Sequence, residues 1–104
     1  ARARDLFARL PLILDADAWV ALPGGAGTLA EVALCWNVLQ YDRPVGRPLV
    51  LVGDRWRHSF DALREHLVVV DPADHDLVGR VETPAEALGL VMEAMAQAKN
   101  SSTA

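Results

Sequence analysis

Two short, unbroken apolar runs stand out along the chain, Ala18-Trp19-Val20-Ala21-Leu22 and Leu49-Val50-Leu51-Val52. Pro23 closes the first, while Pro48 precedes the second and Gly53-Asp54 ends it. Runs of this length are too short for helices, and their continuous hydrophobicity predicts buried strands of a parallel sheet covered on both faces. Parallel neighbours need a crossover. The intervening segment predicts one as a helix over Leu29 to Tyr41, where Val32, Ala33, Leu34, Cys35, Trp36, Val38 and Leu39 leave almost no polar face. Such a helix should be buried nearly all round. A chain of 104 residues cannot easily wrap it alone, so either a homodimer contact or a layer supplied by sequence preceding Ala1 is expected.

Further along, Phe60, Leu63 and Leu67 fall at helical spacing and predict a helix over Ser59 to Leu67. Val68-Val69-Val70 either extends it or forms a short strand. Asp71-Pro72-Ala73-Asp74-His75-Asp76 reads as a turn-rich loop, and Leu77 to Val81 as a final short strand. The last helix is announced by Thr83 as N-cap, Pro84 at the first helical position and Glu86 closing a capping box. Leu88, Val91, Met92 and Met95 then form its apolar stripe. The alternation of strands and helices predicts an α/β protein, the C-terminal part of an open, doubly wound parallel sheet with flanking helices. One domain over residues 1–99 with a flexible tail at 100–104 is expected.

Composition narrows the classes. With 52% hydrophobic and 23% charged residues the chain has the make-up of a folded domain. A net charge of -4 and scattered cations provide no basic field for nucleic acid. No apolar run approaches the ~20 residues of a membrane span, and the single Cys35 excludes an internal disulfide, so a cytoplasmic location is expected. The chain opens on Ala1-Arg2-Ala3-Arg4-Asp5-Leu6-Phe7, which resembles a helix already under way and suggests N-terminal truncation.

The chemistry concentrates where the first strand meets the first helix, in Pro23-Gly24-Gly25-Ala26-Gly27-Thr28-Leu29-Ala30-Glu31. Three glycines in four positions allow positive φ and close approach of backbone N–H groups to a ligand, and the helix start adds its own free amides. An anion is the natural guest. A tight turn without a ligand is the simpler alternative, and Thr28 with Glu31 also fits a capping box that satisfies only the helix. The loop lacks the spacing of a dinucleotide fingerprint and the Lys-Ser/Thr ending of a Walker A loop. Lys99 is the only lysine, which argues against an internal pyridoxal Schiff base.

This nine-residue stretch resembles the P-G-G-x-G-T-x-x-E signature of the LONELY GUY family, also labelled lysine decarboxylase-like. The similarity extends to Asp17-Ala18-Trp19-Val20-Ala21-Leu22, Trp36-Asn37, Pro48-Leu49-Val50-Leu51-Val52-Gly53 and Thr83-Pro84-Ala85-Glu86-Ala87. It implies a Rossmann-like fold and a phosphoribohydrolase without a cofactor. Such an enzyme cuts the N-glycosidic bond of nucleoside 5'-monophosphates, AMP-like or cytokinin ribotides, to a free base and ribose 5-phosphate. By the same resemblance the Pro23-Gly24-Gly25-Ala26-Gly27-Thr28 loop would hold the phosphate and Glu31 would be the catalytic carboxylate. The family's preceding arginine falls in register on Ala8, which makes the adjacent Arg9 the candidate for steadying substrate or leaving base, with Arg4 in reserve. The family also has an N-terminal half, with a second glycine-rich loop, that this sequence does not contain. Two other readings stay open: a non-enzymatic carrier of a phosphate-bearing ligand such as molybdenum cofactor, and a degenerate dimerising fragment.

Other residues are read as structural. His58, His66 and His75 have no metal-ligand spacing with Cys35, and Asp71, Asp74 and Asp76 lack the glycine and terminal glutamate of a calcium loop. Cys35 reads as an inert buried thiol and Trp36 as core or interface.

Overall fold

The computed structural model describes residues 11–41, 47–67, 73 and 76–103. Arg4, Ala8 and Arg9 lie outside the described residues, as do Val68 to Val70, Asp71, Asp74 and His75. Three parallel strands form one sheet in the order β1 (Trp19–Ala21), β2 (Leu49–Val52), β3 (Val78–Val81). The helices are α1 (Ala26–Tyr41), α2 (Asp54–His66) and α3 (Pro84–Thr103). Register pairs Trp19 with Leu49 and Leu49 with Val78, so the strand starts are level. This is the expected α/β, Rossmann-like arrangement.

The chain steps from β1 to β2 to β3 in one direction, and right-handed crossovers then set α1 and α2 on the same side of the sheet. The core divides accordingly. Leu49 and Leu51 point to the α1 and α2 side, where they join Val32, Cys35, Trp36, Leu39, Trp56 and Phe60. Val50 and Val52 point the other way, onto Ala87 of α3, with Val81 and Val91 beside it.

Where expectation and structure differ, packing explains it. β2 is buried at all four positions, but β1 alternates: Trp19 and Ala21 are buried and Val20 remains 46% exposed. Val20 faces the α3 side, and α3 packs mainly on β2 and β3. In α1 only Val32, Cys35, Trp36 and Leu39 are buried, while Leu29, Ala30, Ala33 and Tyr41 are exposed, so the described residues cover one face and not the whole helix. The helix α2 begins at Asp54, five residues ahead of the Ser59 expected from apolar spacing, because Trp56 anchors its first turn.

The Thr83 cap forms as expected. Its Oγ1 accepts the Glu86 N–H at 3.2 Å and its hydroxyl donates to Glu86 Oε1 at 3.0 Å. The apolar stripe of α3 is a correction, since Leu88, Met92 and Met95 are all exposed. The helix docks instead through buried Ala87 and half-buried Val91, with Leu90 passing so close to the sheet that a Cβ at Gly79 would lie 3.4 Å from its Cδ1. Close approach to Val50 and Val52 favours small residues over large ones.

Between β2 and α2 the backbone turns at Gly53, with φ 104 and ψ 159, a region open essentially to glycine alone. Its N–H donates to Val81 O at 2.8 Å, holding the turn against β3. Gly53→Ala is expected to destabilise the protein by about 1–3 kcal/mol. Urea denaturation followed by circular dichroism would read this as a lower midpoint at unchanged slope.

Candidate functional site

The parallel connectivity delivers the β1–α1 and β2–α2 junctions to the same edge of the sheet, the edge where open α/β sheets bind ligands. The two junctions are fastened together. Trp56 is buried and its indole Nε1 donates to Leu22 O at 2.8 Å, immediately before the glycine loop. A Cβ at Gly53 would stand 3.4 Å from Pro23 Cγ.

The loop itself corrects the expected use of its glycines. Among the described residues only Gly53 has a positive φ, so Gly24, Gly25 and Gly27 are not needed for left-handed backbone. Gly24 is required for space: a Cβ there would meet Thr28 Oγ1 at 2.4 Å and Thr28 Cβ at 2.9 Å. Gly25 and Gly27 are different, because a Cβ at either would have no described atom within 4 Å beyond its immediate chain surroundings. Their lack of side chains serves no contact with the other described residues and leaves open space where a side chain would stand.

That backbone is the start of α1. The helix begins at Ala26, and the Leu29 N–H donates to Gly25 O at 3.0 Å. The amides of the first turn have no intrahelical partner, and Gly25 brings no side chain to cap them. Thr28 occupies the third helical position, which removes the capping-box reading of Thr28 and Glu31. Glu31 stands in the following turn.

Two clefts flank this helix start. The first, of about 430 Å³, is lined by Pro23, Gly24, Gly25 and Leu29 on one side and by Arg55, Trp56 and Ser59 of α2 on the other. The second, of about 530 Å³, contains Thr28, Glu31 and Cys35 with apolar residues of β1 and Ile13 and Ala16 ahead of it. Pro23 borders both. The candidate residues are therefore brought to one ridge but divided between two hollows, the glycine pair in one and Thr28 with Glu31 in the other.

Ile13 and Ala16 are held in place from behind. The Trp19 Nε1 donates to Ile13 O at 2.6 Å, and the Arg47 guanidinium lies 4.4 Å above the Trp19 ring while donating to Leu14 O at 2.5 Å. Cys35, on the floor of the Glu31 cleft, has its pKa pushed up to about 11, first by burial and then by the negative charge of Glu31, with Arg47 opposing. It is a protonated thiol and no nucleophile at neutral pH. Trp36 packs on Phe60 with ring centroids 4.8 Å apart, which makes it core. No cluster of three or more metal-ligating side chains forms among the described residues, and none of their helices is long and apolar enough to cross a membrane.

Sequence reasoning missed Arg55, Trp56 and Ser59. A signal existed: residues following β2 must stand beside those following β1 in any parallel sheet built this way. Fold and site together define a parallel α/β protein with a glycine-rich strand-to-helix loop at the carboxyl edge of its sheet. The chain belongs to the family described as possible lysine decarboxylase, whose family model matches residues 2–98. This is the LONELY GUY-like, Rossmann-like family of nucleotide-binding proteins. Comparison with curated proteins finds no match.

Two outcomes follow from the glycines and the thiol. Gly27→Ala, in helical backbone with open space, should raise stability by about 0.4–1 kcal/mol, whereas Gly24→Ala should lower it by about 1–3 kcal/mol through collision with Thr28; thermal melts of both variants check this. Because the folded thiol titrates above its unfolded value of 9.0, the unfolded state loses its proton first, and stability should fall as pH rises from about 9 towards 11. Cys35→Ser should flatten that part of the profile, and native Cys35 should resist iodoacetamide at pH 8 until urea is added.

Proposed function

We propose that the protein hydrolyses the N-glycosidic bond of a nucleoside 5'-monophosphate, releasing a free base and ribose 5-phosphate. The observation that carries the reading is the bare backbone of Gly25 and Gly27 at the α1 N-terminus, with Thr28 and Glu31 lining the adjoining hollow. A phosphate dianion is stabilised by unpaired helix amides and by the positive end of the helix dipole. As the glycosidic bond breaks, its electron pair leaves with the base, which takes up a proton, and positive charge develops on the ribose. A carboxylate one turn beyond the phosphate donors stabilises that charge or orients the water that adds to the sugar carbon. Arg9, or Arg4 in reserve, is the cation assigned to substrate or leaving base. A homodimer formed along the exposed face of α1 completes the reading, with Leu29, Ala30, Ala33 and Tyr41 as its contact surface.

The family's decarboxylase description does not suit this chain's own chemistry. Lys99 is its only lysine and lies in α3, roughly 22 Å of helix beyond Pro84 at the ligand-binding edge of the sheet.

One observation favours a second reading, a binding module without turnover: Gly24 and Gly25 face a different cleft from Glu31. Incubation with AMP and chromatography of the products separates the two. Hydrolysis predicts free adenine, reduced about 100-fold or more in Glu31→Ala. Saturable AMP binding by calorimetry with no adenine, abolished by Gly25→Asp but indifferent to Glu31→Ala, would establish the binding module instead.

A further inference from the structure

We propose that Arg55 is a specificity residue that recognises the ligand's phosphate from the wall of the cleft opposite the glycine loop. The inference rests on the reading above for the identity of the ligand, but its chemistry is that of any phosphate monoester. Arg55 and Ser59 are one helical turn apart on α2, so they share a face, and both line the cleft with Gly24 and Gly25.

Charge separates the two hollows. Among the described residues no carboxylate lines the Arg55 cleft, while Glu31 lines the other. A dianion is favoured in the first, and a sugar developing positive charge is favoured in the second. The shared residue Pro23 marks the crossing point between them.

Three other described arginines are engaged elsewhere. Arg57 pairs with Asp54 at 3.6 Å and with Glu82, Arg80 reaches Asp61 and the Phe60 ring, and Arg47 is held by Leu14 O and Trp19. Arg55 makes no ion pair with a described residue. The pairing of Arg57 with both Asp54 and Glu82 also neutralises the acidic groups nearest the start of α2.

Rigidity supports the assignment. Buried Trp56, the next residue, ties the first turn of α2 to Leu22 O, so the backbone carrying Arg55 is fixed relative to the glycine loop. A guanidinium mounted this way presents the planar fork that matches two phosphate oxygens. Ser59 adds a hydroxyl donor from the same wall.

Calorimetry on the full chain with ribose 5-phosphate, AMP and adenosine tests the proposal, using wild type, Arg55→Gln and Arg55→Lys. Arg55→Gln should weaken both phosphorylated probes about tenfold or more while leaving adenosine unchanged. Arg55→Lys should recover part of the loss, and the melting temperatures of both variants should match wild type. In turnover, Arg55→Gln should raise KM for AMP at nearly constant kcat. Wild-type affinity for AMP and ribose 5-phosphate in Arg55→Gln overturns the assignment even if adenine is released. Arg55-dependent binding of ribose 5-phosphate with no adenine from AMP upholds it while the glycosidase reading fails. Absence of binding to either phosphorylated probe by wild type overturns both.

Discussion

Burial of Leu49–Val52 on both faces is the constraint around which the molecule is arranged. A strand with no solvent-facing side must be covered by helices above and below, and its parallel neighbours can be reached only through such helices. The same requirement that hides four apolar side chains therefore fixes α1 and α2 on one side and α3 on the other. It also sends every strand-to-helix junction to a single edge. The hollows beside the glycine loop are a by-product of core formation before they are anything chemical.

At that edge glycine is used in three physically different ways. Gly53 supplies a backbone conformation that side chains forbid, and Gly24 supplies room for Thr28. At Gly25 and Gly27 no described neighbour needs the missing side chain, and open space stands where a Cβ would be. Only the last use has no explanation within the described fold. Sorting the glycines in this way separates scaffold from recognition within a loop of nine residues, which the bare spelling of the loop does not do.

Much of this was legible before any coordinates. The two apolar runs, the crossover helix and the Thr83 cap are local patterns, and local patterns survive folding. The beginning of α2 was not legible because Asp54 to His58 is polar apart from Trp56, whose partner Leu22 O lies 34 positions away in sequence. The α3 stripe misled for the opposite reason: large side chains dominate a hydropathy reading, yet close helix–sheet contact selects small ones. In the site, Gly24 to Thr28 and Glu31 declare themselves by spacing. Arg55 and Ser59 join them only through the sheet, and one sequence does not print that neighbourhood. Arg9 lies outside the described residues, so its part in the site stands as read from resemblance.

The docking of α3 through Ala87 has a consequence for the protein's redox chemistry. Met92 and Met95, the only two methionines, are exposed, at 63% and 44%. Oxidation of a thioether to its sulfoxide makes an apolar side chain polar, a change that disrupts cores. Here the added oxygens would be hydrated at the surface while Val50, Val52 and Ala87 stayed in contact beneath, and the sheet edge that carries the glycine loop would keep its shape.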